Sequence, residues 1–218
     1  MIAENLKSLS KSLPEQVQLI AVSKTKPMEA LEEAYAAGQR HFGENRIQEM
    51  SEKFEALPKD IHWHMIGNVQ DNKIKYMAHF VSLVHGMDKE KRLKALDKEA
   101  AKVNRVIDCL VQIHIAEEET KFGFDYREAE LLFEKNLIET YPNIRVRGLM
   151  GMATFTDNQE QLSREFKGLA DFYKNTQDHL GFDQFNILSM GMSGDYPLAI
   201  EQGSNMIRIG TKIFGARN

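Results

Sequence analysis

Short runs rich in β-branched residues alternate along this chain with segments that repeat apolar residues at helical spacing, and this alternation restricts the fold more than anything else in the sequence. Eight runs read as strands: Val17 to Lys24, Arg40 to Glu44, His62 to Ile66, Phe80 to His85, Val106 to Ile115, Ile144 to Met150, Phe185 to Met190 and Met206 to Ile209. Between them lie amphipathic segments carried by Met28, Leu31 and Tyr35, by Ile47, Met50, Phe54 and Leu57, by Leu93, Leu96, Ala100 and Val103, and by Leu162, Phe166, Leu169 and Phe172. Strand then helix, repeated, calls for parallel strands joined by right-handed crossovers, and eight such units close most naturally into a (β/α)8 TIM barrel of the α/β class. An open doubly wound sheet is the alternative. At 218 residues the barrel is near the short end of its range, with room for little beyond an extra N-terminal helix over Ile2 to Leu13. No Gly, Ser or Pro-rich stretch divides the chain and only five prolines are spread along it, so residues 1–218 are expected to form one domain.

Charge and composition narrow the partners. With 28 Lys plus Arg against 32 Asp plus Glu, the net charge of -4 offers no basic footprint for nucleic acid or an anionic membrane. Apolar runs fall well short of the roughly 20 residues of a membrane helix, and the first residues lack the pattern of a signal peptide, so a cytoplasmic location is expected. The single Cys109 cannot form a disulfide within the chain and is expected to pack as a small hydrophobe in a strand.

In a parallel barrel the ligand site is expected at the C-terminal ends of the strands. Lys24 comes off the first strand in Gln-Leu-Ile-Ala-Val-Ser-Lys-Thr-Lys-Pro. It is either an ordinary surface lysine or an amine whose preference for the charged form is reduced near the barrel interior, as Schiff-base formation with a carbonyl requires. The last two strands run into Leu-Ser-Met-Gly-Met-Ser-Gly-Asp at 188–195 and Ile-Arg-Ile-Gly-Thr at 207–211. Loops after strands seven and eight commonly bind phosphate through free backbone N–H groups, with Ser193, Gly210 and Thr211 lining the cup here. Asp195 followed by Pro197 can open a short helix beside it. These glycines could equally serve turns alone. Alternation turns Arg208 away from the face of Ile207 and Ile209, either toward the pocket or toward a helix-side ion pair. His62 and His64 share a strand face and His85 and His114 close later strands, which leaves a metal-dependent barrel hydrolase as a further reading. Glu44, Asn45 and Arg46, and Gly67, Gln70, Asn72 and Lys73, are each a cap or a ligand contact.

These stretches resemble the pyridoxal-phosphate homeostasis protein family over nearly the whole chain. The resemblance is carried by Ala-Val-Ser-Lys-Thr-Lys-Pro at 21–27, Phe-Gly-Glu-Asn-Arg-Ile-Gln-Glu at 42–49, Trp-His-Met-Ile-Gly-Asn-Val-Gln-Asp-Asn-Lys at 63–73, and the two closing stretches. It implies the barrel of the alanine-racemase-like class of pyridoxal-phosphate proteins (fold type III). It also implies a role for each matching residue: Lys24 forms a reversible Schiff base with pyridoxal 5'-phosphate (PLP), Ser193, Gly210 and Thr211 hold its phosphate, and Arg208 faces the pyridine nitrogen. Asn45 matches a family position near the cofactor, Lys121 one on the rim, and Met152 a ring contact.

A permanent cation at Arg208 would disfavour a proton on the ring nitrogen and weaken the ring as an electron sink. The racemases of this class also carry a further β domain whose tyrosine serves as a second acid/base across a dimer, and nothing after strand eight matches it. The expectation is a monomeric cytoplasmic PLP carrier acting in vitamin B6 and amino-acid homeostasis, without turnover of its own and possessing apo-PLP enzymes as candidate partners. A small PLP-dependent racemase or decarboxylase using Lys26 or Lys121 is the alternative.

Overall fold

The structure, a computed structural model, describes residues 1–118, 122–181 and 183–216. After an N-terminal helix α1 (Ile2–Ser12) come β1 (Gln18–Val22), α2 (Met28–Ala36), β2 (His41–Glu44), α3 (Ile47–Ala56) and β3 (His62–Met65). A 3₁₀ helix (Asp71–Tyr76) leads to β4 (Leu83–Met87), α4 (Glu90–Lys102), β5 (Ile107–Ile113), α5 (Tyr126–Phe133), α6 (Leu137–Thr140) and β6 (Ile144–Gly151). The chain finishes with α7 (Gln159–Leu180), β7 (Ile187–Ser189), α8 (Tyr196–Glu201), β8 (Met206–Ile209) and α9 (Thr211–Phe214).

The eight strands pair in chain order, all parallel, and β8 returns to β1 with Gln18 opposite Met206 and Ala21 opposite Ile209. The closed (β/α)8 barrel expected from the alternation is therefore present, and the open sheet is not. Two strand boundaries moved for identifiable reasons. β1 stops at Val22 because Ser23 and Lys24 enter a turn, and β4 starts at Leu83 because Phe80 is stacked on Phe54, with ring centroids 4.1 Å apart. The β3–β4 crossover is the 3₁₀ helix, not an α-helix. The β5–β6 crossover, which the apolar spacing did not reveal, contains α5 and α6.

Alternation along each strand divides the side chains between two cores. Outward-facing residues such as Leu19, Phe42, Trp63, Cys109 and Ile207 pack under the helices in the large core. Cys109 is thus the buried small hydrophobe expected of it, and burial pushes its thiol pKa up. Inside the barrel a smaller apolar layer is formed by Ile20, Leu83, Leu110, Met150 and Met206. A bulge keeps β6 in phase with this layer: Cys109 pairs with Val146 but Leu110 with Gly148, which leaves Arg147 as the extra residue. Gly148 has φ 149°, and a Cβ there would run into the Ile187 carbonyl, so the position requires glycine. The rest of the interior is polar: His64, His85, Gln112, Ser189 and Arg208 are all buried. Among the described residues no helix is long and apolar enough to cross a membrane.

Candidate functional site

Lys24, Asn45, Ser193, Gly210 and Thr211 follow the C-terminal ends of β1, β2, β7 and β8 at one mouth of the barrel, and the contacts around them can be followed from strand to strand. Lys24 is half-buried in a turn closed by the Lys26 N–H donating to the Ser23 carbonyl at 3.0 Å. Thr25, the third residue of that turn, has φ 62°. A β-branched side chain rarely accepts this left-handed conformation, and strain of this kind costs about 1–3 kcal/mol.

What holds the turn is a cluster of buried charges under it. Lys53, from α3, donates to the Ser23 carbonyl at 2.8 Å, to Glu44 at 2.7 Å and to Glu49 at 2.7 Å. Ser23 Oγ donates to the same Glu44 oxygen at 2.6 Å, and the Thr25 N–H donates to Glu49 at 2.6 Å. Glu44 is fully buried, and its carboxyl is pushed up to about 7 by burial, against the opposing pull of Lys53. The residues flanking Lys24 on both sides are thereby fixed to α3.

The opposite wall is made mainly of backbone. Gly210 lies against the end of β1, where a Cβ would meet the Val22 carbonyl at 3.3 Å, and its N–H donates to Ser193 Oγ at 3.3 Å. This joins the loops after β7 and β8, as the sequence suggested. The backbone N–H groups of Ser193, Gly194, Thr211 and Lys212 donate to no acceptor among the described residues and are open to an anion. α8 begins where Asp195 and Pro197 predicted, but the Asp195 carboxylate accepts from the Met192 N–H at 2.6 Å and makes no cap bond to the helix.

Arg208 is inward and buried. It donates to the Ser189 carbonyl at 2.9 Å, to Ser189 Oγ at 2.6 Å and to the Gly151 carbonyl at 3.0 Å. Burial lowers its pKa to about 10, which still leaves it cationic at neutral pH. Met152 follows directly after Gly151 and packs on the inner apolar layer. Asn45 follows β2 and is half-buried, its Oδ1 has no partner among the described residues, and Gly67 packs against its backbone. An orphaned buried oxygen of this kind calls for a donor that the protein itself does not provide. Lys121 lies outside the described residues.

Two sequence readings are corrected. The metal reading fails because the histidine rings hydrogen-bond to one another in series and do not converge on a point: His64 contacts His41 and His85, each at 3.0 Å, while His62 is exposed and stacks on His41. His114 Nε2 meets the Glu118 carbonyl at 2.9 Å, and no group of three metal-ligating side chains occurs among the described residues. Lys26, a candidate acid/base, is committed elsewhere, since its ammonium donates to the carbonyls of Phe214, Gly215 and Ala216 at 3.1–3.2 Å and ties the Lys24 loop to the end of α9. Of the remaining polar candidates, Arg46 and Gln70 occupy helix N-cap positions and Lys73 bonds to Gln48.

Barrel and site together define a class, and the comparisons name it. The chain belongs to the alanine racemase N-terminal domain family, whose sequence model matches residues 1–218. Within that class it belongs with the pyridoxal phosphate homeostasis proteins. That of Vibrio alginolyticus is 41% identical over 210 residues, covering 94% of this chain and 88% of its own, and that of Aquifex aeolicus is 38% identical over 205 residues, covering 92% and 87%. Among solved structures, PipY of Synechococcus elongatus without PLP aligns at a TM-score of 0.93 and 36% identity, over 99% of this chain and 100% of that one. PipY with PLP bound aligns at 0.87 and 37%, with the same coverage. The alanine racemase of Bartonella henselae shares the fold, with a TM-score of 0.74 at 17% identity, and this chain spans 58% of it.

Proposed function

We propose that residues 1–218 form one PLP-binding barrel domain that holds and releases the cofactor in PLP homeostasis and has no turnover of its own. The observation that carries this reading is the pairing, across one barrel mouth, of a lysine fixed in a clamped turn with four open backbone amides. When bound, PLP supplies an aldehyde that condenses reversibly with an amine and a phosphate that anchors it.

Lys24 is the amine, and the buried ions around Ser23 and Thr25 limit where it can stand. Ser193, Gly210 and Thr211 hold the phosphate with the amides of their two loops. Arg208, fixed by Ser189 and Gly151, presents a cation to the ring-nitrogen end and keeps a proton away from it. Asn45 Oδ1 accepts from the cofactor side and Met152 packs against the ring. The names of the similar proteins, the engagement of Lys26 and the cationic Arg208 all favour a carrier over a racemase or decarboxylase. Release to apo-PLP enzymes, a cytoplasmic location and a monomeric state complete the reading.

Borohydride reduction of the PLP-treated protein followed by peptide mapping tests it. The label is expected on Lys24 and is expected to vanish in Lys24→Ala. A label on another lysine, or none, overturns the assignment.

A further inference from the structure

Arg208 is a buried cation whose bonded partners are all neutral. Its guanidinium donates to the Ser189 carbonyl, to Ser189 Oγ at 2.6 Å and to the Gly151 carbonyl, while Asp195 acts on it only as a more distant charge. A charge taken out of water needs something in the interior to replace the water. Behind Ser189 stands a line of three rings. His85 Nδ1 lies 3.2 Å from Ser189 Oγ, His64 Nδ1 lies 3.0 Å from His85 Nε2, and His41 Nδ1 lies 3.0 Å from His64 Nε2. Ser189, His85 and His64 are buried, whereas His41 is half-buried and lines a cavity of about 420 Å³ at the N-terminal ends of the strands.

Donor counting fixes the direction of every hydrogen in this line. A guanidinium only donates, so Ser189 Oγ accepts from Arg208, and the hydroxyl hydrogen has one acceptor in reach among the described residues, His85 Nδ1. A neutral ring that accepts at Nδ1 carries its hydrogen on Nε2. His85 therefore donates to His64 Nδ1, and His64 in turn donates from Nε2 to His41 Nδ1. His41 ends the line with an Nε2–H at the rear cavity. The reverse order would make Ser189 Oγ accept twice, strand its hydrogen in a fully buried place, and aim three N–H groups toward a cation. The rings are neutral because burial first, and neighbouring charge second, holds His41, His64 and His85 below the usual histidine value.

We propose that His85, with His64 and His41 behind it, is a positioning residue for Arg208: the line is a fixed one-way chain of hydrogen bonds whose imidazole lone pairs all face the guanidinium and stand in for a carboxylate. No proton moves along it. A hydroxyl that donates becomes a better acceptor, so Ser189 Oγ, by giving its hydrogen to His85, holds Arg208 more firmly than an isolated serine would. Oriented dipoles differ from a counter-ion in one respect, because they stabilise the cation without cancelling its charge. Arg208 thus keeps a full positive charge at the mouth, as holding a proton off a bound ring nitrogen requires. That purpose rests on the cofactor reading of the site, but the direction of the line does not.

Imidazole ¹⁵N NMR of the full chain without cofactor tests the direction. Wild type is expected to show a bare Nδ1 and a protonated Nε2 on His41, His64 and His85. A hydrogen on His85 Nδ1, or mixed tautomers there, overturns the proposal. Solvent exchange of the Arg208 Nη protons tests the positioning. His85→Leu removes the acceptor of the Ser189 hydroxyl while leaving the direct partners of Arg208 in place, and should speed that exchange several-fold. His85→Asn can set its Oδ1 where Nδ1 stood and should restore most of the wild-type rate. Unchanged exchange in His85→Leu, or equally fast exchange in both variants as a merely packed ring would give, overturns the proposal. Should His85→Leu fail to fold, Ser189→Ala removes the head of the line and should release His85 and His64 into mixed tautomers; tautomers that stay fixed would count against it equally. Borohydride labelling of Lys24 by PLP reports separately on the cofactor reading, since an unlabelled Lys24 beside the expected tautomers would fail that reading alone.

Discussion

The two walls of the C-terminal mouth solve their tasks with different chemistry. On the β1 side, buried ions hold the Lys24 turn: Lys53 with Glu44 and Glu49. On the β7 and β8 side, open amides and one serine hydroxyl face the proposed anion site, and the Gly210 N–H to Ser193 Oγ bond ties the two loops together. A covalent anchor demands that one flexible side chain be placed accurately, and a desolvated ion cluster gives that placement at a cost in solvation. A phosphate cup needs only amides aimed the right way, which the loop paths supply without burying any charge. The first wall should therefore be sensitive in stability and pH, and the second in affinity.

The sharpest way to break this contrast is to remove the central ammonium. Lys53→Met leaves Glu44 and Glu49 without their shared partner, and loss of one member of a buried pair costs about 3–5 kcal/mol. Ser193→Ala removes one weak contact and should change stability by no more than about 1 kcal/mol, while PLP affinity falls about tenfold through loss of a charge-assisted bond. Urea unfolding and PLP titration of the two variants check both halves. Equal stability losses would abolish the distinction between the walls.

A smaller effect appears in the pH dependence of stability. Glu44 has a folded pKa raised by burial from 4.5 to about 7. Below about 4.5 it is protonated in both states. As pH rises toward 7 the unfolded chain ionises first, so stability from this group is full at low pH and is lost through the folded value near 7. The interior histidines act in the opposite sense. Their folded values are depressed from 6.5, to about 4 for His41, so their contribution is full above 6.5 and is lost as pH falls toward 4. The two slopes oppose each other between about 4.5 and 6.5. Glu44→Gln removes the first, and unfolding free energy should then climb more steeply with pH over that window and level off above it. An unaltered profile would mean that Lys53 keeps Glu44 ionised in spite of burial.

The walls also differ in how much of each could be read from the sequence. Ser193, Gly210 and Thr211 could be singled out because they follow the last two strands, although the glycines there could equally have served turns alone. Their geometry is mostly backbone, which strand order alone predicts. The clamp was not recognisable. Glu49 and Lys53 are spaced i, i+4 on α3, a spacing that on most helices marks a solvated pair, yet α3 turns them inward beneath the mouth. The histidines were noticed at the strand ends and left convergent metal ligands open as a further reading, because strand position gives the face and not the direction of the ring nitrogens. α5 was missed although Asp125 and Glu128 form a capping box at its start, since a helix of only eight residues is too short to show a clear apolar repeat. Long-range register and periodicity survive in a sequence, whereas the sharing of a buried proton or charge between elements does not.

The smallest expected effect concerns Thr25, where the two demands on the first wall meet. Its φ of 62° is strained, and its N–H is bonded to Glu49. Thr25→Gly relieves the strain but adds freedom to the unfolded chain, two terms of about 1 kcal/mol that offset each other, so unfolding free energy should move by less than about 1 kcal/mol. Thr25→Asn tolerates the same backbone with less freedom and should be at least as stable as the glycine variant. Placement of Lys24 separates them. If the strained turn is kept because it limits the amine's wandering, the glycine variant should label more slowly with PLP and borohydride than wild type, and the asparagine variant should label at the wild-type rate. Equal rates in all three would assign the positioning to the Lys53 clamp alone.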